Sequence, residues 1–119
     1  YELSRARSGG QAIGPLDAVR LMNQGGALVL DVRSKDQYDA GHVIDARNVP
    51  SAELAQGVEA LKKYRDKPVV TCCETGMTAG AAARTLRAQG FSKVASLRGG
   101  LEAWRAENLP LVRTDARGR

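Results

Sequence analysis

Pro68-Val69-Val70-Thr71-Cys72-Cys73-Glu74-Thr75-Gly76-Met77-Thr78-Ala79-Gly80-Ala81-Ala82-Ala83 is the stretch on which the fold turns. Its first part is a short apolar run of strand length, with proline at the first position, where no ladder donor is lost. A polar loop follows over 73–77. Then comes an alanine-rich helical pattern over 78–89, stopped by Gly90 at the C′ position. Working outward, the same alternation recurs. Upstream, Ala27 to Val32 is a continuous apolar run of the kind covered on both faces in a parallel sheet. Ser34 to Gly41 carries a short helix, and Val43 to Pro50 reads as a short strand closed by a turn. Ser51 is placed to cap a helix over 52–64. Nearer the start, Pro15 opens a helix with apolar residues at 16, 18, 19 and 22, ended by Gly25-Gly26. Downstream, Val94 to Leu97 is a strand, Gly99-Gly100 a tight turn, and 101–108 a last helix ended by Pro110. Strands that alternate with helices are the signature of βαβ units, hence an α/β fold with a parallel sheet between two helix layers.

The chain has 119 residues, one domain's worth. Hydrophobic residues are 43% and charged residues 26%, ordinary for a globular protein. No apolar run approaches the roughly 18 residues of a membrane span. The first residue is Tyr1, so the sequence is expected to be a fragment or a processed form. The net charge is +5, and it lies mainly in the tails. Arg5, Arg7, Arg113, Arg117 and Arg119 face only Glu2 and Asp115 there. Aromatics are 4%, without the basic, aromatic-studded face of a nucleic-acid binder, so no specific nucleic-acid partner is expected. Two adjacent cysteines, Cys72 and Cys73, staple nothing distant, and His42 is the only histidine. Neither a disulfide framework nor a metal site is therefore expected, and a reducing, cytoplasmic setting fits.

In an open parallel sheet, ligands bind beyond the carboxyl ends of the strands. Cys73 stands at such an end, just before a helix N-terminus. The helix's free N–H groups and dipole should point at the sulfur, and Gly76 permits a left-handed turn that gathers loop amides into an anion-binding nest. This setting should depress the Cys73 thiol below its usual value of about 8.5. Successive strand residues point to opposite faces, so only one of the two sulfurs can lie over the nest. Cys72 is read as core, with a resolving thiol as its alternative. His42 is read as a hydrogen-bonding turn residue, and Asp31 with Arg33 as a polar network at a strand end.

The segment Cys73-Glu74-Thr75-Gly76-Met77-Thr78-Ala79, with Ala81-Ala82 and the Gln89-Gly90-Phe91 helix exit, resembles the active-site loop of rhodanese-type sulfurtransferases. Asp31-Val32-Arg33 with Tyr38 and Gly41-His42-Val43 resembles that family's first signature, continued by Ala46-Arg47-Asn48-Val49-Pro50. Leu97-Arg98-Gly99-Gly100-Leu101 with Ala103-Trp104 resembles its C-terminal one. The resemblance implies a three-layer α/β/α domain over 11–112 with a parallel sheet of about five strands. A flexible lead-in over 1–10 and a basic tail over 113–119 would flank it. It also implies that Cys73 is the catalytic residue, taking sulfane sulfur as a persulfide. Glu74, Thr75, Gly76, Met77 and Thr78 would form the substrate cradle. The partners implied are a small sulfur donor and a thiophilic acceptor, a protein thiol included, with no cofactor and no metal. The ending Glu107-Asn108-Leu109-Pro110-Leu111-Val112-Arg113 is similar to that of bacterial members with an N-terminal membrane helix. This implies a tether to the cytoplasmic membrane upstream of residue 1.

Two other function classes compete. A non-enzymatic rhodanese-like binding or scaffold module would need neither the cysteine nor the loop glycine. A cysteine-dependent phosphatase wants a guanidinium six residues past its nucleophile to clamp phosphate; that position holds Ala79. Departures from the family pattern are Gln37 for a common Glu, Asp45 for a usual Gly, and Glu74, Met77 and Thr78 where many loops carry a cation. Glu74 is expected to matter most. A carboxylate roughly 5 Å from thiosulfate costs about 1–3 kcal/mol of binding, which Glu74→Arg is expected to recover.

Overall fold

The computed structural model describes residues 11–114. The lead-in expected over 1–10 and all but the first two residues of the expected basic tail lie outside them. Five strands, all parallel, form one sheet: β1 (Gln11–Ile13), β2 (Leu28–Asp31), β3 (Arg47–Asn48), β4 (Val69–Cys72) and β5 (Val94–Leu97), in the order β1-β5-β4-β2-β3. Helices α1 (Pro15–Gly25), α2 (Lys35–Ala40), α3 (Leu54–Gly57), α4 (Met77–Ala88) and α5 (Gly100–Ala106) connect them. The central strands β2, β4 and β5 are buried along their whole length, as an apolar run flanked by helices on both sides requires. Among the described residues, no helix is long and apolar enough to cross a membrane.

The pleat of β4 divides two cores. Val69 and Cys73 pack on one side with Leu30, Leu54, Val58, Leu61, Leu86 and Phe91. Val70 and Cys72 pack on the other with Val29, Leu97, Leu101 and Trp104. The adjacent cysteines thus enter different layers, as the period of two demands. The helix ends follow local chemistry. Pro15 opens α1, Gly26 closes it with φ 66°, the Ser34 hydroxyl accepts from the Gln37 N–H at the start of α2, and Gly90 ends the chain's run from α4 with φ 95°.

Three elements depart from expectation. β1 had no clear signal; it is three residues long and sits at the edge, with Arg98 closing on it through N–H to the Ile13 carbonyl (2.7 Å) and Nη2 to the Ala12 carbonyl (2.8 Å). The strand expected over 43–50 shrinks to β3, because 43–46 forms a turn in which Asp45 takes φ 65°. Asp tolerates this left-handed conformation better than most residues, and this is the position where the family pattern has Gly. The single helix expected over 52–64 is instead a 3₁₀ turn (Ser51–Glu53), α3, and a 3₁₀ stretch (Val58–Tyr64), and Ser51 makes no capping bond. Val58, Leu61 and Tyr64 explain the tight winding. Residues spaced by three eclipse each other in a 3₁₀ helix, which turns all three toward the sheet.

Cys72 is fully buried, and burial, with the Asp31 charge nearby, pushes its thiol well up. An unfolded cysteine ionises near about 8.5, whereas the folded one keeps its proton. Above that pH the native state binds more protons than the unfolded one, so this contribution to stability is lost as pH rises. Urea unfolding of wild type and Cys72→Ala at pH 8 and pH 10 should show the gap between them changing by about 2 kcal/mol against wild type. Equal gaps would mean that the Cys72 thiol ionises freely in the folded protein.

Candidate active site

The loop between β4 and α4 places the Cys73 sulfur under backbone donors. Its Sγ accepts from the N–H of Gly76 (3.0 Å) and of Ala79 (3.3 Å). Gly76 has φ 105°, a conformation open to glycine and strained for other residues. Ala79 is in the first turn of α4, where N–H groups lack intrahelical partners. The Thr71 hydroxyl of β4 donates to the Ala79 carbonyl (2.8 Å) and so pins that turn above the strand. The N–H groups of Thr75, Met77 and Thr78 have no backbone acceptor among the described residues. The result is a sulfur seat surrounded by donors, which favours an anion on or next to the sulfur.

The loop's outward-facing carbonyls are held from behind. The Leu101 N–H donates to the Cys73 carbonyl (2.9 Å) and the Glu102 N–H to the Glu74 carbonyl (3.1 Å). This contact leaves no room for a side chain. A Cβ at Gly100 would stand 2.5 Å from both carbonyl oxygens, one at Gly76 3.1 Å from the Gly99 nitrogen, and one at Gly99 2.8 Å from the Ala103 Cβ. Gly99-Gly100, read from sequence as turn geometry, is therefore part of the site's support.

A cleft of about 260 Å³ opens over the sulfur. Cys73, Glu74, Thr75 and Thr78 line it together with Arg33, Gln37 and Ser51. Cys73 itself is 5% exposed, at the cleft floor. Gly76 contributes its N–H, whereas Met77 is 83% exposed and lies outside the lining. No guanidinium stands at Ala79, which is buried.

Arg33 and Arg105 bring positive charge that the loop's own sequence lacks. Buried Arg33 pairs with buried Asp31 (Nη2–Oδ2 2.8 Å) and donates to the Gly41 carbonyl (2.6 Å). Its Nη1 also reaches Glu74 Oε1 at 3.5 Å, and Arg105 Nη1 meets Glu74 Oε2 at 2.5 Å. The hydrogen bond from Arg105, then the charges of Arg105 and Arg33, hold the Glu74 carboxyl below its ordinary range. Glu74 is thus not the isolated negative charge expected from the sequence. It bridges two guanidiniums, which offset its repulsion of an anion in the cleft. Glu74→Arg would set a third guanidinium against those two, so the neutral Glu74→Gln, which frees both without adding another charge, isolates the effect of the carboxylate. Arg105 lies 31 residues from Glu74, and no loop-local spacing marks it.

His42 lies outside the cleft lining. Its Nδ1 is 2.8 Å from the Tyr38 carbonyl, its ring stacks on Tyr38 at 3.9 Å, and its backbone pairs with Val112. Trp104 donates through Nε1 to the Pro110 carbonyl (2.9 Å) and fills the core. Among the described residues, no group of three His, Cys, Asp or Glu side chains is placed to hold a metal ion.

Residues 15–107 match the rhodanese-like domain. The chain is 40% identical over 98 residues to the uncharacterized protein YibN of Escherichia coli K12, covering 82% of this chain and 68% of that one. It is 37% identical over 91 residues to the thiosulfate sulfurtransferase GlpE of Pseudomonas fluorescens, covering 76% and 82% respectively. Among solved structures, a rhodanese-related protein from Thermoplasma volcanium superposes with a TM-score of 0.77 at 27% identity, over 86% of this chain and 97% of that one.

Gly100→Ala tests the support behind the loop. Its Cβ would clash with two carbonyls at φ 61°, and strain plus overpacking should cost about 2–4 kcal/mol. Gly80→Ala is the control: it lies within α4 with nothing near its Cβ and should gain up to about 1 kcal/mol. Chemical denaturation of both variants checks this, and equal effects would show that α5 does not clamp the loop.

Proposed function

Because the chain belongs to the rhodanese-like domain family, we propose that it is a sulfurtransferase working through a Cys73 persulfide. The observation that carries the proposal is the Cys73 Sγ seated under the Gly76 and Ala79 N–H groups at the floor of an open cleft. The Cys73 thiolate attacks the outer sulfur of a sulfane donor such as thiosulfate, whose S–S bond breaks and releases sulfite. The sulfur left on Cys73 is a persulfide anion, a charge the same amides can hold. A thiophilic acceptor then removes it. The cleft exceeds what thiosulfate needs: at about 30 Å³ per heavy atom, the share of one water in the liquid, its five atoms occupy about 150 Å³. No metal or cofactor takes part, since the thiolate itself is the nucleophile and the sulfur carrier.

Intact mass after incubation with thiosulfate should rise by about 32 Da, the mass of one sulfur atom, bound through the thiolate. Dithiothreitol and Cys73→Ser should each abolish the gain, while Cys72→Ala should keep it. A gain that survives in Cys73→Ser, or none in wild type with thiosulfate or an organic persulfide, would refute the proposal. Because Glu74 occupies two guanidiniums, Glu74→Gln should lower the Michaelis constant for thiosulfate about 3- to 10-fold, and the gain should shrink with salt. An unchanged constant would place the Glu74 charge outside the reach of the donor.

A further inference from the structure

A second cavity, about 380 Å³, adjoins the cleft over Cys73 and shares Arg33, Gln37 and Glu74 with it. Its remaining wall includes Arg105, Arg113 and Leu111. The size is that of a small-molecule site, and a donor as small as thiosulfate leaves it unused. Three guanidiniums from distant parts of the chain converge on it, with one carboxylate, Glu74, among them. That carboxylate already shows what the wall recognises. Glu74 takes one edge of Arg105 and the tip of Arg33, as a planar acid does when it meets guanidinium forks. With Asp31 paired to Arg33, the wall as a whole keeps one positive charge over its acids, and it falls on the Arg113 side. Leu111 adds an apolar surface for a short carbon chain.

Resting on the sulfurtransferase proposal above, we infer that this cavity seats the carboxylate of a small carboxylate-bearing thiol that accepts the sulfur. The acid end meets Arg113 and Arg105, while the thiol end passes the shared wall to reach Cys73. The acceptor's thiolate attacks the outer sulfur of the Cys73 persulfide, the S–S bond of that persulfide breaks, and Cys73 leaves as a thiolate. The acceptor departs as the organic persulfide anion. One S–S bond is exchanged for another and two negative charges stay on sulfur throughout, beside the unchanged carboxylate, so no further oxidant or reductant is required.

The test separates loading from discharge. Protein loaded with thiosulfate and desalted is mixed with 3-mercaptopropionate or 2-mercaptoethanol, and the loss of the added sulfur is followed by mass. The ratio of the two discharge rates removes the intrinsic reactivity of each thiol when compared between variants. At low salt the ratio should fall about tenfold in Arg113→Ala, return in Arg113→Lys, and shrink in wild type as salt rises. A ratio that is the same in wild type and Arg113→Ala overturns the inference while leaving the persulfide proposal intact. If loading itself fails, binding still decides. The unreactive 3-(methylthio)propionate should shift the amide resonances of Gly41 and Leu111, and 2-(methylthio)ethanol should not. Equal responses to the two overturn the inference as well.

Discussion

Two hydrogen bonds from the N-terminus of α5 hold the rest of the site in place: Leu101 N–H to the Cys73 carbonyl and Glu102 N–H to the Glu74 carbonyl. A peptide unit has its N–H and C=O on opposite sides, so drawing the Cys73 and Glu74 carbonyls toward α5 turns the N–H groups of Glu74 and Thr75 away from it. Gly76 completes the reversal with its left-handed backbone, and Gly99 and Gly100 let α5 approach closely enough to make the two bonds. The Cys73 sulfur then finds two donors that neither α4 nor the sheet uses. The sheet sets the direction of the sulfur, α4 supplies a donor, and α5 fixes the loop between them.

Electrostatics complete the arrangement through contacts distant in sequence. Asp31 and Arg33 at the end of β2 form a buried pair under one wall of the cleft, and Arg105 on α5 reaches across to Glu74. Exposed ion pairs contribute little to stability, about 0–1 kcal/mol, so the significance of the Glu74 bridge lies in the field it sets. An acidic residue beside a thiol proposed to handle anions would be unfavourable alone. Clasped by two guanidiniums, it becomes the partition between the cleft over Cys73 and the larger arginine-lined cavity beside it.

Much of this was legible in the sequence because its strongest signals are local. The buried runs that became β2, β4 and β5, the helix that became α4, and the loop glycine all follow from apolar spacing and backbone chemistry over a few residues. The opposite fates of Cys72 and Cys73 follow from the period of two. The rest depended on pairings that no window contains. β1 is an edge strand of three residues, defined by its partner β5 rather than by its own pattern. The 51–64 segment carried its signal in the three-residue spacing of Val58, Leu61 and Tyr64, which a search at helical spacing overlooks. Arg105 and Arg113 enter the site's surroundings only when the chain folds back on β4, which is why Glu74 looked unpaired.

The central claim is that Cys73, beneath the Gly76 and Ala79 amides, carries the transferred sulfur. Amide NMR spectra recorded before and after loading with thiosulfate test it most directly. The account predicts that the Gly76 and Ala79 resonances are displaced on loading and return with dithiothreitol, while amides on the Cys72 side of the sheet, such as Val29, stay in place. Loading that adds sulfur yet leaves Gly76 and Ala79 unmoved would contradict it.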